Sequence, residues 1–343
     1  MQLHGLGVNA FDRRSLFKLG AGAGLGLGLG GMAAAPAAKA STMPANAYDL
    51  SDPQDNVYAW IKLDGSLEDG KATLGMWDGV VLSVWGQQET IKPLFGFKGF
   101  GYSRWFNNGD GTFTKLHKEV GFYSDLATGE IIDTWENPYL GGEKVKVWPV
   151  ANDPVNIVFK PKIEGGYDKT FKRDFVLPWY THDDKWISTS LDVNLRWPNI
   201  LDKEGWQREH TGKWIRVAEY FQLHAERAKV MDPDVPDVSP TGGWQRVGNY
   251  LPWMLMEERP GHLVYRANTI KLPRGVEQLP KEIIKAAEKD FPDYLEPPKV
   301  WTEPNVSSFE VYKRDAKPVP FAKGQTPYQP VDIPASGVVV KSS

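Results

Sequence analysis

"LFGFKGFGYSRWFNNGDGTFTKLHKEVGFYSD", residues 94–125, decides the fold class. Its first half is aromatic and alternates with period two, as a strand with two distinct faces does. Asn107-Asn108-Gly109-Asp110-Gly111 follows, and Asn and Gly tolerate the positive φ of a tight turn. The second half returns with the same alternation, so the stretch reads as a hairpin. Alternation also sorts its side chains. Phe100, Tyr102, Arg104 and Phe106 share one face of the outgoing strand. His117, Glu119 and Tyr123 share a face of the returning strand, opposite Leu116, Lys118, Val120 and Phe122.

The pattern extends in both directions. Residues 57–63 place Val57, Ala59, Ile61 and Leu63 on one side and read as a strand ending at Asp64-Gly65. Residues 76–86 read as the next strand. After the hairpin, "IIDTWENP" and "EKVKVWPV" continue the meander, and further strands are expected at 156–161, 171–179, 185–195, 213–224, 262–272 and 307–313. Turns recur at short intervals without a βαβ rhythm, which predicts an antiparallel architecture. The expected fold is mainly β: an antiparallel β-barrel of the calycin or lipocalin kind with long loops and one short C-terminal amphipathic helix. That helix is expected within 278–294, where Ile283, Ile284 and Ala287 gather on one side. The acidic, Pro-rich residues 231–243 read as a surface loop.

The N-terminus carries Arg13-Arg14, then an apolar run over 19–38 rich in Gly and Ala, then Ala38-Lys39-Ala40. Basic residues, an apolar stretch and a small-residue exit make an export signal, here of the twin-arginine type. The expected organisation is a signal over 1–40, a tether over 41–56, a single barrel-like domain over 57–315 and an extended tail over 316–343. The protein is expected to meet the twin-arginine export machinery and to work in the periplasm or outside the cell, its mature chain not inserted in a membrane.

Composition narrows the function. The chain has 343 residues with 40 basic and 43 acidic side chains, well mixed. No basic stripe recommends nucleic acid as a partner. With no cysteine, disulfides, thiolate metal sites and a Cys nucleophile are excluded. The six histidines are scattered without the close spacing of a zinc site, so no metal is expected. "GFKGFG" lacks the following helix of a dinucleotide-binding turn, and no G-x-S-x-G elbow occurs. No cofactor is expected.

Four strings, "LFGFKGFGYSRW", "KEVGFYSDLATGEIIDTWENP", "VANDPVN" and "RVGNYLPWMLMEERPGHLVY", resemble the bacterial DUF1838 proteins, which commonly carry twin-arginine signals. The resemblance spans roughly 57–272. It implies no catalytic residues, because that family has no assigned function.

The candidates therefore come from the residues. His117, Glu119 and Tyr123 form either an acid–base row or a solvated outer face. Glu219 sits beside Val217 and Phe221 on an apolar strand face, where a carboxylate costs stability unless paired. These four are the candidate catalytic residues. Arg104, between Tyr102 and aromatic neighbours, is either a rim residue or an anion clamp. Asn152 and Asn156 flank Pro154 and either cap turns or bind substrate. Arg246, Trp253 and Arg259 complete the candidate binding set. The expected function is an exported, cofactor-independent lyase or isomerase acting on a small aromatic or hydrophobic molecule, such as a plant- or lignin-derived one, in a barrel pocket. The alternatives are a non-catalytic periplasmic carrier of a small apolar ligand and, third, a metal-dependent oxygenase.

Overall fold

The computed structural model describes residues 43–85, 90–164 and 172–329. The expected export signal lies outside the described residues. Among the described residues no helix is long and apolar enough to cross a membrane.

The chain is mainly β and its sheet is antiparallel. It opens with a helix, α1 (Pro53–Asp64), and then lays down three long strands, β1 (Ala72–Trp85), β2 (Thr90–Asn107) and β3 (Phe113–Ser124). β2 and β3 are the expected hairpin, with Gly109 and Gly111 at φ of 80° and 84° in its turn. Short strands follow: β4 (Thr134–Asn137), β5 (Glu143–Lys146), β6 (Val150–Asn152), β7 (Ile157–Phe159), β8 (Lys162–Glu164), β9 (Lys172–Asp174) and β10 (Trp179–Thr181). Then come β11 (Trp186–Pro198), β12 (Trp214–Glu226), the short helix α2 (Arg227–Met231), β13 (Thr241–Gly248) and β14 (Gly261–Leu272). Two helices, α3 (Lys281–Asp290) and α4 (Ser308–Asp315), close the described chain.

The main sheet runs β10-β11-β12-β13-β14-β1-β2-β3-β6, with β7 also pairing β3. Among the described residues no pairing joins β6 or β7 to β10, so hydrogen bonds do not close it into a ring. It is nevertheless strongly curled. Trp105 and Phe113 of β2 and β3 share one apolar cluster with Leu191, Phe221 and Leu223 of β11 and β12, near the other end of the strand order. Phe97 and Trp244 stack at 6.1 Å although β1 and β14 lie between their strands.

Glycines permit that curl. Gly75, Gly79, Gly99, Gly101, Gly121 and Gly242 all point to the inner face. A Cβ on Gly79, Gly99 or Gly242 would fall within 2.2 Å of a backbone oxygen of the adjoining strand. Side chains converge on a concave face, and glycine removes the crowding.

Each rim of the inner face is filled. At one, α1 buries Val57, Trp60 and Ile61 against Trp105, Phe113 and Phe175. At the other, Phe95, Tyr123 and Tyr265 pack with Trp253, Met254, Phe309 and Tyr312. The outer face of β1–β3 is covered as well. Leu74, Phe100, Val120 and Phe122 meet Ile283 and Ala287 of α3, the amphipathic helix expected from the sequence.

Four local readings need correction. Residues 57–63 are helix, not strand, because Asp52 caps the turn by accepting from the N–H groups of Gln54 and Asp55 and Pro53 presets the first helical φ. Residues 307–313 fall in a helix start, where Ser307 and Glu310 form a capping box. Residues 241–243, assigned to the surface loop, begin β13. Within the stretch read as a tether, Met43, Ala47, Tyr48 and Leu50 pack against Leu63, Ala225 and Val230. The tail reads as extended and lies against the domain, where Val319 N–H donates to Glu209 and Tyr328 N–H to Glu257.

Candidate functional site

Strand register builds the site. One inner-face row runs Asn152–Glu119–Gly101–Gly75–Lys271 across β6, β3, β2, β1 and β14. A second runs Tyr123–Phe97–Gly79–Ala267–Trp244–Phe221. A third runs Val81–Tyr265–Arg246–Glu219–Val193. Between the two filled rims these rows leave glycine and alanine where bulky side chains would otherwise meet. Glu119 is deeply surrounded by protein, yet 32% of its side chain is accessible; Glu219 behaves alike at 23%. Deep position with accessible surface marks a hollow. Trp77, Trp244, Phe221 and Leu191 are half-buried on the same face.

Two polar groups occupy the hollow. The first is a chain of hydrogen bonds. Ser103 Oγ lies 2.8 Å from His117 Nδ1, and His117 Nε2 lies 3.3 Å from Glu119 Oε2. Asn152 Nδ2 donates to Glu119 Oε1 at 2.6 Å, and Asn152 Oδ1 accepts from Ser308 N–H at the start of α4 at 2.6 Å. The imidazole lies over Gly101, where a Cβ would fall 2.4 Å from Cε1. Burial pushes the Glu119 carboxyl up, but the hydrogen bonds from His117 and Asn152 and the nearby positive charge outweigh it and hold it down at about 2. An ionised Glu119 only accepts, so it accepts a hydrogen bond from His117 Nε2–H, and in the neutral ring Nδ1 then accepts from Ser103 Oγ–H. Ser103 is 4% exposed and anchors the ring without meeting the hollow.

The second group is Glu219, Arg246, Tyr123 and Tyr265. The two tyrosine hydroxyls bond to each other at 2.8 Å, and Arg246 lies 5.6 Å over the Tyr265 ring. Arg246 Nε and Glu219 Oε1 are 3.7 Å apart, an ion pair longer than a hydrogen bond. Burial raises the Glu219 carboxyl above its ordinary value, opposed by Arg246 and reinforced by the charge of Glu119. Burial also raises both tyrosines. The two interior glutamates thus stand in opposite environments, one held ionised and one pushed toward its neutral form.

The structure brings together His117, Glu119, Tyr123, Glu219, Asn152 and Arg246. Trp253 borders the set: it packs edge-on against Tyr123 at 5.3 Å in the core beneath the hollow. Four candidates lie elsewhere. Tyr102 and Arg104 point to the outer face, which α3 and its flanking turns cover. Arg104 there donates to the carbonyls of Pro298 and Gly70, and Tyr102 packs with Leu74 and Leu272. Asn156 donates to Thr302 O and its backbone N–H bonds Asn305, so it ties a loop together. Arg259 pairs with Glu257 and stacks on Tyr328 of the tail. Sequence reasoning missed Trp77, Trp244, Tyr265 and Ser103. The alternation of β14 could have found Tyr265, because it shares a side with Leu263 and Ala267.

Among the described residues no group of three or more His, Asp or Glu side chains is arranged to hold a metal ion. A family model described as a protein of unknown function (DUF1838) matches residues 70–316, and the chain belongs to that family. No curated protein matches it.

Proposed function

We propose that the protein is an exported, cofactor-independent enzyme of lyase or isomerase type, whose curled sheet serves as a calycin-like, barrel-shaped container for a small aromatic or hydrophobic molecule. The observation that carries this reading is the pair of interior glutamates in opposed environments. Environments that push two carboxyls apart divide acid and base roles between them. Glu219, raised and accessible, is the group that gives and takes the proton. Glu119 stays ionised, fixes His117 and helps to raise Glu219 above its ordinary value. Arg246, backed by the buried Tyr265 ring, faces oxygen on the substrate, where it stabilises developing negative charge. Trp77, Trp244 and Phe221 supply apolar walls. A carrier needs the walls but not two tuned carboxyls.

The test is proton exchange. Native mass spectrometry of the protein purified from its own cell envelope identifies a retained small molecule, which is then incubated with protein in D₂O. The wild type is expected to introduce deuterium into the molecule or convert it, and Glu219→Gln to lose that by about 10²-fold or more. A ligand that is retained and returned unchanged by the wild type makes the protein a carrier.

A further inference from the structure

Arg246 has an unusual environment. Its side chain is 12% exposed, and among the described residues it makes no hydrogen bond. Its contacts are the face of Tyr265 and the long 3.7 Å approach to Glu219. A guanidinium presents five donors in a planar fork, and here the Nε–H is buried without an acceptor, which is costly. Charge-assisted bonds to a carboxylate close to about 2.7–2.9 Å, and Glu219 stands well outside that range. Glu219 makes no side-chain hydrogen bond either. The tyrosine pair adds a donor, since one of its two hydroxyl protons bonds the other oxygen and the second has no protein acceptor. The Trp77 indole N–H on the same face is also buried without an acceptor. Donors outnumber acceptors around the Arg246 end of the hollow, and half-buried rings flank it.

We infer that this end of the hollow is an anion site, and that the ligand is an aromatic carboxylate whose two oxygens engage the Arg246 fork, with its ring against the half-buried Trp77, Trp244 and Phe221. The inference rests on the reading of the hollow as a ligand site and names the ligand class. It replaces Arg104, which is spent on backbone carbonyls of the outer face, with Arg246 as the anion anchor. Glu219 then lies beside the bound carboxylate's carbon frame, placed to move a proton on it.

The experiment compares 4-hydroxybenzoate with 4-hydroxybenzamide by titration calorimetry, on the wild type, Arg246→Gln and Arg246→Lys, with thermal unfolding of each variant as a control. The pair differs in charge at one group and hardly in shape. The wild type is expected to bind the carboxylate roughly tenfold or more tighter than the amide. Arg246→Gln is expected to lose that preference while still binding the amide. Arg246→Lys, a charge without the planar fork, is expected to keep part of it, which tests the proposal even if the Gln variant fails to fold. Equal binding of both probes to the wild type, or a preference undiminished in the variants, overturns the anion site and leaves the hollow standing. Absence of binding by either probe at millimolar concentration overturns both. A carboxylate preference lost in Arg246→Gln, alongside a retained molecule returned unchanged from D₂O, leaves the anion site intact and removes only the enzyme.

Discussion

Gly101 is where the backbone and the chemistry meet. His117 occupies the space that a side chain at 101 would fill, so Gly101→Ala should expel the imidazole and break the Ser103–His117–Glu119 chain. Overpacking of this kind costs about 1–3 kcal/mol, so urea unfolding should show that loss, and the proposed proton exchange should fall with it. Glu119 makes a second prediction. Its folded pKa of about 2 lies below the ordinary carboxylate value, so the folded state binds its proton less readily than the unfolded chain. The resulting stability is present above about pH 4.5 and lost as pH falls toward 2. The stability gap between wild type and Glu119→Gln should therefore shrink between pH 6 and pH 3, and a gap independent of pH would refute the pairing. The shared face of His117, Glu119 and Tyr123 was legible in "KLHKEVGFY", since alternation alone gives it. Arg104 was grouped with Phe100 and Tyr102 on one face of β2, but both faces of β2 are apolar and nothing local says which one is the interior. The pairing of Glu219 with Arg246 joins β12 to β13, and the register between two strands is not a local property.

Buried lysines do structural work between elements. Lys62 of α1 is fully buried and donates to the carbonyls of Lys229, Val230 and Asp232 at the end of α2. Those are carbonyls that a short helix cannot satisfy internally. Burial lowers the Lys62 ammonium to about 8. Lys62→Met keeps the apolar stem and strands the carbonyls, and it should destabilise by on the order of 2–4 kcal/mol in chemical denaturation. Long strands with alternating pattern were readable, and so was α3. The elements that were misread have specific causes. α1 is buried nearly all round, so its apolar residues at 57, 59, 61 and 63 imitate strand alternation, and the signal at Asp52-Pro53 outweighs it. At α4, Ser307-Ser308-Phe309-Glu310 holds a capping box that prevails over a weak alternation. β13 begins with Gly242-Gly243, a pair that reads as a turn and here makes room on a concave sheet.

At the scale of the molecule, the curl of the sheet makes the site. It brings β3 and β12 close enough for Glu119 to influence Glu219, though four strands separate them in the sheet order. Antiparallel β was legible from turn spacing, but the curl was not, because it depends on which glycines of different strands fall on the same face. Gly75, Gly79, Gly99, Gly101 and Gly121 are scattered in sequence and adjoin only after pairing. The central claim is that this inner face holds a ligand between the rings and Arg246. A crystal structure of the protein grown with 4-hydroxybenzoate tests it most directly. The account predicts a ring against Trp77, Trp244 and Phe221 with its carboxylate on the Arg246 guanidinium. An inner face left empty at a saturating concentration, or a ligand seated only on the outer surface, would contradict it.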